Sequence, residues 1–176
     1  MEFTTKRLII RRLKVSDLEA VLAHRSDPYT SRYIGKPATF ADAQARIAQA
    51  QLPWEGREGE RLILAIECKE SSLLLGELMF KFISVENQCG EIGYRLAGKY
   101  QGKGYAFEAA SALIKEVFTQ FELNKLNAIC AVDNIASWKL MEKLGMKREG
   151  RLRSYMNLPS GTTDCFTYGV LKHEVI

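Results

Sequence analysis

From Ala106 to Phe121 the apolar residues advance in alternating steps of three and one: Ala106, Ala109, Ala110, Leu113, Ile114, Val117, Phe118 and Phe121. At 3.6 residues per turn these positions share one face, so the spacing predicts a helix with an unbroken apolar stripe. A stripe that long has to lie on another apolar surface. Upstream, Leu62 to Ile66, Leu73 to Ile83 and Glu91 to Leu96 read as three successive strands. In the last of them Ile92, Tyr94 and Leu96 alternate with Glu91, Gly93 and Arg95. Three strands in a row thus precede the helix. They predict a mixed, mainly antiparallel sheet with helices on its faces.

The rest of the chain fits around that centre. Leu8 to Leu13 reads as a first strand, and Ser16 with Glu19 spells a capping box for a helix that Asp27-Pro28 closes near Ser26. Ala41 to Gln51 predicts a second helix, ending near Pro53, and Trp54 to Glu60 an exposed loop. Gly76 marks a bulge within the third strand. Lys125 to Val132 returns to strand pattern, and Ile135 to Leu144 is helical with Gly145 as its left-handed cap. Arg148 to Met156 and Cys165 to Leu171 predict a closing hairpin about Pro159-Ser160-Gly161. The expected order is β-α-α-β-β-β-α-β-α-β-β. That is an α/β fold of seven strands and about four helices, in one domain over the 176 residues.

Composition narrows the function. With 47% hydrophobic and 26% charged residues the chain is of globular type. A net charge of +4 suits an anionic ligand and is too weak to imply nucleic acid. Four cysteines without a C-x-x-C pair and two histidines near opposite ends predict neither a metal site nor a disulfide framework. The start, MEFTTKRLIIRRL, carries charges where a secretory leader needs an apolar stretch. The longest uncharged run, Ser154 to Thr163, falls well short of the roughly 18 apolar residues of a membrane span. A cytoplasmic chain with no membrane role is expected.

Three phosphate-loop spellings overlap before the long helix. Gly93 to Tyr100 nearly spells a P-loop, but Tyr100 stands where a Ser or Thr must ligate magnesium, and its first half lies in a strand. Gly102 to Phe107 begins like a dinucleotide fingerprint yet ends in Phe107 with no parallel βαβ unit before it. The third reading is Gln101-Gly102-Lys103-Gly104-Tyr105-Ala106 as Q-x-x-G-x-A at a helix mouth. There the first N–H groups have no intrahelical partner and the helix dipole adds about half a positive charge. A pyrophosphate is the natural guest, each charge-assisted bond contributing roughly 1.5–3 kcal/mol, with Lys99 and Lys103 flanking. An ordinary helix N-terminus after a glycine turn is the alternative.

The run EIGYRLAGKYQGKGYAFEAA, Glu91 to Ala110, resembles the acetyl-CoA signature of the GNAT N-acetyltransferases, and more narrowly their RimJ/RimL-type branch. The resemblance extends to TKRLIIRRL, to VDNIASWKLMEKLGMKREG and to the closing hairpin. It implies the GNAT fold and acetyl-CoA as co-substrate, without a metal. Tyr94, Arg95 and Leu96 would line the pantetheine arm, pairing with it through their backbone. Gln101, Gly102, Lys103, Gly104, Tyr105, Ala106 and Phe107 would form the pyrophosphate turn. Asn134 would reach the pantetheine amide or the sulfur. The two central strands would splay to admit the thioester.

The implied reaction is direct attack of a primary amine on the thioester. It needs a base, an oxyanion donor (in the family a main-chain N–H near Leu96) and a proton for the leaving thiolate. Many relatives carry a Tyr seven residues after the Asn, where this chain has Met141. Ser137, three residues after Asn134, matches the RimL-like alternative for steadying or protonating the thiolate, with a water relay or a serine that bonds its own helix as the other readings. The base positions of relatives hold Ile129 and Ser154 here. Glu91 is the first candidate base among Glu91, Glu77 and Asp164. Deprotonating an alkyl amine at pH 7 costs about 4.6 kcal/mol against about 1 kcal/mol for an α-amine, so a site without an obvious base favours a peptide N-terminus or another low-pKa amine over a polyamine such as spermidine. A homodimer is compatible with the resemblance. A regulatory acyl-CoA-binding module without turnover is the competing class. His24 shows no partner in the sequence. The basic run Lys147 to Arg153 reads as a solvated edge strand.

Overall fold

The computed structural model describes residues 1–175. Its sheet has the order β1-β2-β3-β4-β5-β6-β8-β7. The strands are β1 (Phe3–Thr4), β2 (Leu8–Arg12), β3 (Leu62–Cys68), β4 (Leu74–Ser84), β5 (Cys89–Leu96), β6 (Lys125–Ala131), β7 (Lys147–Leu158) and β8 (Gly161–Leu171). The helices are α1 (Leu18–Ser26), α2 (Pro28–Ser31), α3 (Phe40–Gln51), α4 (Tyr105–Gln120), α5 (Ile135–Lys143) and α6 (Lys172–Val175). Every neighbouring pair of strands is antiparallel except β5 and β6. The α/β class and the mainly antiparallel sheet are as the sequence predicts. The count is corrected to eight strands and six helices among the described residues, because β1, α2 and α6 are too short to carry a period.

β3 explains how the layers stack. Its run Leu62-Ile63-Leu64-Ala65-Ile66 is buried on both faces. Leu62, Leu64 and Ile66 join Leu113, Val117 and Phe118 of the α4 stripe, with Met141 of α5, in one core. Ile63 and Ala65 join Val21 of α1 and Ala43, Ile47 and Ala50 of α3 in a second. Alternating side chains therefore bind helices to opposite faces of the sheet, which is why the strand reads as continuously apolar rather than alternating. The bulge falls at Leu75, which is skipped between the pairs Ile66↔Gly76 and Glu67↔Leu74. Gly76 itself is required by close approach: a Cβ there would stand 2.0 Å from the Arg95 carbonyl oxygen.

Two local expectations are corrected. The start of α1 is not capped by Ser16 and Glu19. Instead Asp17 accepts from the Lys14 amide at 2.7 Å, while its two oxygens also take a fork from Arg11 at 2.7 and 2.9 Å. That ion pair is buried, and Arg11 reaches Glu67 as well, at 2.5 Å. Asp27-Pro28 ends α1 as predicted, but it also starts α2, with the Asp27 side chain capping the Tyr29 amide. Pro is pre-shaped for such a first turn. The basic run lies on β7, at the end of the sheet order.

Candidate active site

The site begins where the two parallel strands part. β5 and β6 pair only at Cys89↔Lys125, Gly90↔Leu126 and Glu91↔Asn127, yet β5 continues to Leu96 and β6 to Ala131. Gly90 allows the close approach below the fork, since a Cβ there would meet Phe80 at 2.7 Å and Leu126 at 2.9 Å. On its other side β6 stays paired with β8 along its whole length, from Lys125↔Leu171 to Ala131↔Cys165. The main chain of β5 beyond Glu91 is left without a strand on the side facing β6. An extended chain bearing amides could pair there as an added strand.

A cavity of about 440 Å³ runs from this opening to the mouth of α4. Tyr94, Arg95, Leu96, Gln101, Gly102, Gly104, Tyr105, Ala106, Phe107, Asn134 and Ser137 all line it. Lys103 does not, its ammonium lying over the Tyr100 ring, whereas Lys139 and Lys143 do. Gly102 and Gly104 take left-handed φ of 75° and 80°. That conformation, open to glycine without strain, turns the chain tightly at the edge of the cavity. The helix ladder starts only at the Glu108 amide, which donates to the Gly104 carbonyl. Among the described residues no side chain caps the start of the helix. The amides there are the groups a diphosphate needs, so the residues present fit one. Gln101 serves the turn differently from the amides, tying its side chain back to the Leu96 carbonyl at 3.3 Å.

The turn is braced from below by residues outside the glycine motif. Glu108, in the first turn of α4, accepts from the Thr5 hydroxyl at 2.5 Å, the Arg7 amide at 2.8 Å and Arg7 Nε at 2.6 Å. Arg7 also donates to the Lys103 carbonyl at 3.0 Å and stacks over the Tyr105 ring. Burial works against the Glu108 charge, but the Thr5 and Arg7 hydrogen bonds prevail and hold its carboxyl below the usual range.

A second cavity, of about 350 Å³, opens on the other side of the fork. It shares Tyr33, Ile34, Tyr94, Arg95, Asn134 and Ser137 with the first. At this junction the Tyr94 hydroxyl lies 3.0 Å from the Ser137 carbonyl and 3.1 Å from its hydroxyl. The phenol donates to the carbonyl, which leaves the serine hydroxyl as donor to the phenol oxygen. Burial pushes the Tyr94 phenol well above its ordinary value, so it keeps its proton. Cys130 lines the second cavity too, and burial raises its thiol to about 11. Asn134 spends its side-chain oxygen on the Ser137 amide, capping α5 at 3.3 Å. Its NH₂ remains for a ligand.

The three carboxylates named as bases fare differently. Glu91 lines the second cavity at the fork, where it pairs with Lys81 at 3.0 Å. Asp164 is remote from both cavities and engaged on β7, accepting from Arg151 at 2.7 Å and the Ser154 amide at 2.8 Å. Glu77 is buried and takes hydrogen bonds from His24, Arg25 and Arg46 at 2.9, 2.6 and 2.8 Å. Burial opposes its charge, but the His24 bond and the Arg46 and Arg25 charges outweigh that and hold the carboxyl far below the usual range. A group so easily ionised does not serve as a base near neutrality. His24, without a visible partner in the sequence, is thus part of this cluster, its other nitrogen facing the Ala20 carbonyl at 2.7 Å.

A parting pair of parallel strands, a glycine turn at a helix mouth and two adjoining cavities together make up the site. The profile of the Acetyltransferase (GNAT) domain matches residues 7–147, and the chain belongs to that family. It is an N-acetyltransferase. The N-acetyltransferase p20 of Bacillus licheniformis is 32% identical over 170 residues, 97% of this chain and 96% of that one. A GNAT-family acetyltransferase from Bacillus anthracis is 28% identical with a TM-score of 0.87, covering 98% of this chain and 99% of its own. RimL, the ribosomal L7/L12 α-N-protein acetyltransferase solved with coenzyme A, shares the fold at 20% identity, a TM-score of 0.84 and coverage of 97% and 98%. Among the described residues no helix is long and apolar enough to cross a membrane.

Proposed function

We propose that this chain, as a single domain, moves an acetyl group from acetyl-CoA to a primary amine, with the cofactor in the larger cavity and the amine in the smaller. The observation that carries this reading is the junction of the two cavities at Tyr94, Asn134 and Ser137, reached from one side by the free amides of Gly102 to Phe107. RimL, which has this fold, holds coenzyme A. When bound, the thioester supplies the activated acetyl group.

The residues divide the remaining work. The amides of Gly102 to Phe107 hold the diphosphate. The free edge of Tyr94, Arg95 and Leu96, with the Asn134 NH₂, aligns the pantetheine arm. Holding both reactants in one cleft supplies much of the acceleration. Glu91 takes the proton of the incoming ammonium, and the Ser137 hydroxyl turns from the Tyr94 oxygen to donate to the departing sulfur, while the phenol keeps its proton on the Ser137 carbonyl. The acceptor is a peptide N-terminus or a small amine, since a low-pKa amine asks least of a base already paired with Lys81.

Thiol release from acetyl-CoA, followed over peptides, amino acids and polyamines, tests the reading. Release with at least one amine, abolished in Gly104→Asp, is the expected result. Coenzyme A binding without release across the whole panel would replace the transferase with a regulatory module.

A further inference from the structure

The smaller cavity has a charge pattern that the transfer reaction does not require. Its wall carries four arginines, Arg25, Arg46, Arg61 and Arg95, against two glutamates, Glu77 and Glu91. Glu91 is paired with Lys81, outside this group. Glu77 is shared by Arg25, Arg46 and His24. Arg95 and Arg61 have no carboxylate within ion-pair distance among the described residues. Arg95 reaches only neutral oxygens, the His24 carbonyl at 2.9 Å and the Ser31 and Thr30 hydroxyls at 2.6 and 3.3 Å. Its buried Nε has no partner among the described residues. Arg46 is bound to Glu77 through Nε alone, which leaves both ends of its fork free among the described residues.

Uncompensated positive charge in a half-buried cavity is unfavourable unless something anionic enters. Burial lowers Arg95 to about 10, with the Arg25 charge acting in the same direction. Burial lowers Arg46 as well, and the Glu77 attraction does not restore it against the Arg25 and Arg61 charges. Free guanidinium forks match the paired oxygens of a carboxylate or a phosphate. They repel a polycation.

We infer that the acceptor is an amine that also bears an oxyanion, a carboxylate or a phosphate, seated by Arg46 and Arg61 with Arg25 behind them. This inference rests on the transferase reading and names its substrate class. Arg46 and Arg61 are the specificity residues; spermidine is a poor acceptor.

Matched acceptors test it, each pair offering the same kind of amine with and without the anion. The pairs are β-alanine against β-alaninamide, phosphoethanolamine against ethanolamine, and an Ala-Asp-Glu peptide amide against Ala-Asn-Gln, with spermidine as the cationic extreme. The anionic member is expected to exceed its neutral partner at least tenfold in kcat/KM. Whichever pair shows the larger ratio distinguishes carboxylate from phosphate. Arg61→Glu is expected to cut that ratio at least fivefold, with thermal midpoint and coenzyme A affinity unchanged, because the side chain is exposed. Arg46→Gln is expected to do so more strongly, and if it does not fold, Arg61→Glu decides alone. Titration of the same pairs into coenzyme A-saturated protein reads binding without turnover. Thiol release with no preference for the anion overturns the inference and spares the transferase. Arg61-dependent binding of the anion without thiol release overturns the transferase and the acceptor assignment with it, leaving the arginines as an anion-binding site. Loss of coenzyme A affinity in Arg61→Glu assigns the arginines to the cofactor and overturns the inference.

Discussion

The two ends of the cleft are built on opposite plans. The mouth of α4 offers main chain from one contiguous run, Gly102 to Phe107, turned by two left-handed glycines. The smaller cavity offers side chains brought from five elements: Arg25 from α1, Arg46 from α3, Arg61 from the loop before β3, Glu77 from β4, and Glu91 and Arg95 from β5. Main-chain recognition is robust to side-chain change and serves a ligand that every member of a family shares. Side-chain recognition can be rewritten residue by residue, which suits an acceptor that differs between relatives.

If that contrast holds, the largest effect belongs to Gly104→Asp. A carboxylate at the diphosphate and a non-glycine residue at φ 80° should remove coenzyme A binding altogether in calorimetry, while Gly104→Asn, which tolerates that φ, retains part of it. A fully active Gly104→Asp would break the assignment of the turn.

Next comes Glu77→Gln. Removing the one carboxylate among Arg25, Arg46 and His24 leaves buried charge unmatched and should cost about 3–5 kcal/mol in denaturant unfolding. The pH dependence sharpens this. The folded carboxyl lies far below its ordinary 4.5, so its contribution is fully present above that value and is lost progressively as pH falls below it. Wild-type stability should therefore drop steeply in acid, and the variant's less so. Parallel acid profiles would mean that Glu77 is not a keystone of the cavity.

Tyr94→Phe should lower turnover about tenfold with coenzyme A affinity within about twofold of wild type, the scale of one lost hydrogen bond of roughly 1.4 kcal/mol. Ser137→Ala should have a similar or smaller effect, and the double variant should be little worse than the more damaging single one, since the two hydroxyls act as a unit. Fully multiplicative losses in rapid-quench kinetics would separate them. The smallest effect is expected from Arg7→Ala, which loosens the brace under the turn: about 1 kcal/mol of stability and a few-fold in coenzyme A affinity.

Legibility followed the same division. The α4 stripe was readable because periodicity is a local property, and the six residues it buries, Ala109, Ala110, Leu113, Ile114, Val117 and Phe118, all lie in the predicted set. The glycine turn was readable because left-handed backbone and a helix mouth have their own spelling. The start of α1 was misread for the converse reason. Asp17 is held by Arg11, which itself reaches Glu67 some fifty residues away in sequence, and that tertiary pairing decides the cap in place of the Ser16–Glu19 spelling. Glu77 looked like a possible base only while its partners on α1 and α3 were out of view. The Tyr94 hydroxyl against Ser137 was missed because their contact spans the gap between β5 and α5, and nothing in either segment announces it.

The sequence alone determined the longer strands and helices and the glycine turn before α4, since each depends on residues within a few positions of one another, through helical period, strand alternation and the φ that glycine permits. Only the tertiary structure decided the fork between β5 and β6, the Tyr94–Ser137 contact and the arginine-lined cavity. Those depend on where distant segments stop pairing and which charges burial forces together, and no local pattern encodes that balance.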